Sequence, residues 1–127
     1  MSVSRIKQAA ALMDGFAQRT GLTSDQHPQR YLWTDAFAVC NFLGLARATG
    51  EPRYMQLALR LVDAVHRTLG RHRADAPSRG WISGLSEQAG AAHPTRGGLR
   101  IGKALPERGP QEPFHNLASE LQWKRRA

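Results

Sequence analysis

The pattern of apolar and polar residues changes between two neighbouring segments of the chain. Residues 34–48 are apolar on every side of a helix and hold few polar residues. Residues 53–69 place polar side chains every three or four positions, and these form one stripe: Arg53, Gln56, Arg60, Asp63 and Arg67. The pattern predicts two helices, about 31–49 and 52–69. We expect the first to be buried on all sides and the second to expose one face.

A short turn joins the two helices and predicts that they are antiparallel neighbours. Gly50 suits the end of the first helix, and Pro52 suits the first position of the second. A preceding amphipathic helix is predicted at about 4–20. Residues 71–113 contain seven glycines and five prolines and predict an irregular region, which a short helix at about 116–124 follows. The sequence therefore predicts an all-α class: an antiparallel helical hairpin, a preceding helix and a long Gly/Pro-rich loop region.

The hairpin turn and its flanking motifs resemble one known family. The turn reads TGEPRY, the first helix begins in YLWTDAF, and the stretches RGWISG and GGLRIGKALPER follow the hairpin. This combination resembles the repeating unit of the six-hairpin glycosidase-like proteins, in which inner and outer helices alternate around an (α/α)6 toroid. The resemblance implies that residues 1–127 form a single partial α/α toroid. A closed toroid holds six hairpins, so the resemblance also implies an N-terminal fragment of a longer protein.

The same resemblance implies a function and a partner. Members of this family act on carbohydrates as glycoside hydrolases or sugar epimerases through carboxylates, without an organic cofactor. We therefore expect a carbohydrate ligand, no activity from this chain alone, and self-association through the exposed inner helix of an incomplete ring. A structural remnant with no activity is compatible with the same residues.

Two carboxylates are candidates for the acid and base of glycoside hydrolysis, which requires a pair about 5–10 Å apart. Asp35 lies at the start of the inner helix, where the family resemblance implies a central cleft. Glu87 lies in the SGLSEQAG stretch of the loop region. Each has an alternative role, because Asp35 also stabilises a helix N-terminus through the helix dipole and Glu87 also suits a solvated surface.

Aromatic and basic residues near these carboxylates are candidates for substrate binding. Trp33 and Trp81 can stack on a sugar ring, or they can anchor their segments in the core. Arg96, Arg100 and Lys103 lie among flexible glycines, and we expect them to contact an anion or a sugar. The spacing G-x-x-x-x-G-K in this stretch does not predict a nucleotide loop, because no strand precedes it and no hydroxyl residue follows the lysine.

Charge and cysteine content add a second function class and exclude others. Eighteen basic residues against ten acidic ones give a net charge of +8, which suits either a solvated arginine-rich surface or nucleic acid as an alternative partner. Nucleic acid is the less expected partner, because no helix has a basic face. The single cysteine, Cys40, is predicted to be a small core residue. No histidine spacing predicts a metal site. No segment has the length of a membrane span, so we expect no membrane association and a cytoplasmic location.

Overall fold

The computed structural model describes residues 2–103. This part of the chain contains four helices, and its only β-type pairing is an isolated antiparallel bridge between Arg71 and Trp81. The helices are α1 (Val3–Arg19), α2 (Leu32–Thr49), α3 (Pro52–Leu69) and α4 (Glu87–Ala92). The predicted all-α class is confirmed. The helix predicted at about 116–124 and residues 104–113 of the predicted loop region lie outside the described residues.

Local chemistry sets the ends of α1, α2 and α3 within one residue of the predicted positions, whereas α4 lies in the region that was predicted to be irregular. The hydroxyl of Ser2 accepts a hydrogen bond from the backbone N–H of Arg5 at 3.2 Å and caps α1. Gly50 ends α2 with φ of +71°, a left-handed conformation that favours glycine. Pro52 begins α3, where its missing N–H has no helical partner to lose.

The helices α2 and α3 lie side by side along their length, and α1 packs against α2. Only Gly50 and Glu51 separate α2 from α3, so the two helices must run antiparallel. The core between the three long helices and the turn after α1 consists of buried residues Met13, Ala17, Leu22, Ala38, Phe42, Leu45, Tyr54, Ala58, Leu61, Val65 and Leu69. None of the described helices combines the length and the apolar character that crossing a membrane requires.

The prediction that α2 is buried on all sides is wrong for the part of the chain that the structure describes. Only one side of α2 faces the core, where it contributes Asp35, Ala38, Phe42 and Leu45. The opposite side is exposed because α1 and α3 cover only the first side. Cys40 lies on the exposed side, so its assignment as a core residue is also wrong.

Residues 99–103, which we call the strap, connect the end of α3 to the start of α2. The backbone N–H of Arg100 donates to the carbonyl of Leu69 at 2.8 Å, and the N–H of Leu32 donates to the carbonyl of Ile101 at 2.9 Å. Gly102 has φ of +85°, and a Cβ atom there would overlap the carbonyl oxygen of Arg30. The strap therefore closes one end of the hairpin at a position that only glycine fits.

Candidate functional site

Most of the predicted site residues lie near the end of the hairpin where α2 begins and α3 ends. Asp35 is in the first turns of α2, the strap contains Arg100 and Lys103, and Trp81 pairs with Arg71 just after α3. The side chains at this end form two separate clusters. One cluster is centred on Asp35 and the other on Glu87.

Asp35 lies inside the protein and forms an ion pair with Arg30. Its Oδ2 atom lies 3.6 Å from Nε of Arg30, and each side chain is only 1% exposed. The same oxygen accepts a hydrogen bond from the backbone N–H of Tyr31 at 3.2 Å, just before α2. Arg30 also donates to the carbonyl of Thr20 at 3.0 Å. The pair therefore holds the end of α1 against the start of α2.

Burial acts against both charges of this pair. It raises the pKa of Asp35, and the charge of Arg30 and the hydrogen bond from Tyr31 only partly offset that effect. Burial also lowers the pKa of Arg30, against the charge of Asp35. Within the described residues, Oδ1 of Asp35 and Nη1 of Arg30 are buried without a hydrogen-bond partner. A charged pair that is incompletely bonded gains less from its Coulomb attraction than it loses in hydration.

Glu87 belongs to a surface cluster with Arg71 and Trp81. Its two carboxylate oxygens accept hydrogen bonds of 3.0 and 2.8 Å from the guanidinium of Arg71. That guanidinium lies 4.0 Å from the ring centre of Trp81, and the indole N–H donates to the backbone carbonyl of Glu87 at 3.3 Å. The hydrogen bonds from Arg71 lower the pKa of Glu87. Trp81 is buried, so it anchors α4 to the end of α3.

The two predicted catalytic carboxylates therefore have different partners and environments. Asp35 is paired with Arg30 in the interior, whereas Glu87 is exposed and paired with Arg71. Their catalytic roles remain predictions. The ion pair of Asp35 was not foreseen from the sequence, because the five-residue separation from Arg30 crosses the start of a helix and matches no helical spacing.

The basic residues of the predicted binding loop also differ in their surroundings. The guanidinium of Arg100 donates to the carbonyls of Thr68 at 2.9 Å and Arg71 at 2.6 Å. These contacts satisfy carbonyls at and just beyond the C-terminal end of α3, where a positive charge also complements the helix dipole. Arg96 and Lys103 lie on the surface. Arg100 therefore has a capping role, and its predicted contact with an anion or a sugar remains a prediction.

Residues 2–103 contain no group of three or more His, Cys, Asp or Glu side chains placed to hold a metal ion. Comparisons with protein-family models, curated proteins and solved structures give no match. The resemblance to six-hairpin glycosidase-like proteins therefore rests on the sequence motifs and remains a prediction.

The exposed side of the hairpin carries an apolar surface, which we call the α2–α3 face. It consists of Trp33, Ala36, Phe37, Cys40, Leu43 and Gly44 on α2 and of Met55 and Leu59 on α3, all of which are exposed. Trp33 and Phe37 are 63% and 69% exposed, so Trp33 is not the core residue that one interpretation of the sequence expects. Exposed apolar groups that lie together mark a binding surface more often than scattered ones do.

The centre of the α2–α3 face is a shallow groove with no acidic side chain in its lining. The groove has a volume of about 560 Å³ and is lined by Cys40, Leu43, Gly44, Ala46, Arg47 and Met55. A Cβ atom on Gly44 would meet open space, so no other part of the described chain covers this position. Sequence periodicity did not reveal the face because α2 is apolar on both sides.

Proposed function

We propose that the protein is a helical association module that binds the apolar face of another α/α hairpin through its α2–α3 face. The observation that carries this proposal is the exposure of two aromatic and several aliphatic side chains on one side of α2 and α3. Removal of such groups from water favours association by about 25 cal/mol per Å² of apolar surface. The face supplies this apolar surface without a charged residue among its eight members.

The chemistry of the face also selects the class of partner. A polyanion requires several basic side chains, whereas the eight residues of the face contain none and Arg47 is the one basic residue that lines its groove. A charged protein surface would lose its hydration against these side chains without gaining an ionic partner. A second apolar helical surface needs no basic side chains opposite it and loses little hydration on contact, so it is the partner that fits this face. In an assembly of the six-hairpin type, such contacts join successive hairpins, and carbohydrate chemistry would belong to the completed assembly rather than to this chain.

Association can be tested with the protein alone, because a second copy presents an apolar hairpin face. We would measure the molar mass by sedimentation equilibrium over a range of concentrations for the wild type and for Phe37→Glu. Leu12→Glu is the matched control, since Leu12 is 72% exposed on α1 and lies outside the face. We expect masses above the 14.1 kDa monomer for the wild type and the control. We expect Phe37→Glu to remain monomeric, because it places a charge in the face.

Two results would contradict the proposed function. One is a wild-type protein that remains monomeric at every concentration. The other is association that Phe37→Glu leaves unchanged and Leu12→Glu abolishes, because that result would place the contact on another surface.

A carbohydrate ligand is the second candidate, and the 63% exposure of Trp33 favours it. An exposed indole ring offers the flat apolar surface on which a sugar ring stacks. The test is a titration of the wild type and Trp33→Ala with neutral oligosaccharides, followed by calorimetry. Heat that disappears in Trp33→Ala supports this candidate, and the absence of binding by the wild type rules it out for the sugars used.

A further inference from the structure

We propose that the partner of the α2–α3 face is a second copy of this chain, bound so that the two α2 helices cross antiparallel about a two-fold axis beside Cys40. This inference rests on the proposed function, since it uses the same face. It adds the identity of the partner, the direction of the helices and their register.

The register follows from the order of side chains along the exposed side of α2. An antiparallel two-fold axis at Cys40 brings each residue that lies n positions after Cys40 level with the residue n positions before it in the other copy. Leu43 and Gly44 then lie level with Phe37 and Ala36 of the second copy. These four residues form one layer of the interface, with two bulky side chains (Leu43 and Phe37) and two small ones (Gly44 and Ala36). This combination lets facing helices interdigitate.

The residues at the two ends of the exposed side of α2 are also complementary. Trp33 lies seven residues before Cys40 and Arg47 lies seven residues after it, both about 10.5 Å along the helix axis. In the antiparallel register each guanidinium reaches the indole ring of the other copy and forms a cation–π contact. A parallel arrangement would instead bring the two Arg47 side chains together and leave both indole rings without a cation.

Charge favours this face over the rest of the surface for contact between two copies. Each chain has a net charge of +8, so two copies repel each other across most orientations. The eight residues of the α2–α3 face contain no charged side chain. Contact through this face therefore avoids direct pairing of like charges, because Arg47, which lines the groove, meets an aromatic ring of the other copy.

The central position provides a direct test, because Cys40 is the single cysteine of the chain and is exposed. Helices that pack with about 10 Å between their axes place facing Cα atoms about 5 Å apart. A disulfide spans this separation. We would oxidise the full chain with copper phenanthroline at a concentration where it associates, and would measure the covalent dimer on a non-reducing gel. We expect a dimer linked through Cys40.

Two variants in a Cys40→Ser background control for collision and direction. Leu12→Cys places an exposed thiol on α1 and reports random encounters. Gly44→Cys places a thiol in open space within the face, four residues after position 40, so in the antiparallel register the two copies of it lie about 12 Å apart along the helix axis. We expect both controls to give at least about tenfold less covalent dimer than Cys40, because their thiols lie outside the reach of a disulfide in the proposed register. Efficient coupling of Gly44→Cys would indicate parallel helices and would overturn the proposed register.

Sedimentation of the same samples separates this inference from the proposed function. A mass of two chains with coupling at Cys40 supports both. Association into larger or open-ended species, or a dimer without coupling at Cys40, overturns the inference while the α2–α3 face remains a binding surface if Phe37→Glu abolishes the association. A wild type that stays monomeric overturns both.

Discussion

Replacement of Asp35 by alanine should show whether this carboxylate has a structural role. The change leaves the guanidinium of Arg30 buried without its anionic partner and removes the acceptor of the Tyr31 N–H. Loss of one partner from a buried ion pair costs about 3–5 kcal/mol. This is a large share of the roughly 5–15 kcal/mol by which a domain is stable. With a shift of about 4–8 °C per kcal/mol, Asp35→Ala should lower the melting temperature by about 12 °C or more.

The assay is urea unfolding followed by circular dichroism at low protein concentration, with Phe37→Glu as background so that association does not contribute to stability. Arg30→Met with Asp35→Asn is the informative double variant. The asparagine carbonyl retains the hydrogen bond from Tyr31, and the carbonyl of Thr20 keeps its bond from the N–H of Gln29 after Arg30 is replaced. We expect the double variant to be more stable than Asp35→Ala, because it buries no unpaired charge.

An unfolding free energy that rises in Asp35→Ala would refute this reasoning. Carboxylates held at a functional site commonly reduce stability, so their removal stabilises the fold. That outcome would favour a catalytic role for Asp35 in carbohydrate chemistry over a structural role at the start of α2.

Salt, pH and a substitution in the strap each provide a further test. Added salt should strengthen self-association, because it screens the repulsion between two chains of charge +8, whereas it should weaken any binding to nucleic acid. Fluorescence titrations at low and high salt show whether the binding affinity rises or falls. The pKa of Glu87 is lower in the folded state than its ordinary value of 4.5, so its contribution to stability is present above that pH and is lost as the pH falls through the folded-state pKa. The indole N–H resonance of Trp81 should shift over that acidic range in the wild type, and Glu87→Gln should not show this titration. Arg100→Met should lower stability by about 1–3 kcal/mol, because it leaves carbonyls near the end of α3 without their donor, and an unchanged urea midpoint would contradict the capping role.

The three long helices were predictable from the sequence because local signals determine them, whereas the short α4 lies in the region predicted to be irregular. Gly50 and Pro52 mark the hairpin turn, and the polar stripe of α3 identifies its outer side. The side of α2 that faces the core was not predictable in the same way. Phe37 and Phe42 are equally apolar, yet Phe42 is fully buried and Phe37 is 69% exposed. Only the positions of α1 and α3 decide between them.

The candidate site was less predictable than the helices because its contacts join distant parts of the chain. Asp35 and Glu87 were identifiable as carboxylates near aromatic residues, but their partners Arg30 and Arg71 were not. The glycine-rich surroundings of Arg100 predict a role in ligand binding. Its actual partners are carbonyls about thirty positions earlier, near the end of α3, a relation that depends on the path of the strap and leaves no periodic signal.

The strap also gives the fold an order of assembly. The hairpin is built from contacts between near neighbours in sequence and can form early. The hydrogen bond from the N–H of Leu32 to the carbonyl of Ile101 joins distant parts of the chain and forms later. Once the hairpin exists, closing the loop of residues 70–98 costs roughly 3 kcal/mol of chain entropy. The strap should therefore open as a unit while α3 remains helical, and the amides of Leu32 and Arg100 should exchange with solvent hydrogen together and faster than that of Leu61. Opening of the strap would thus expose the end of the hairpin that holds Asp35 while α3 stays helical.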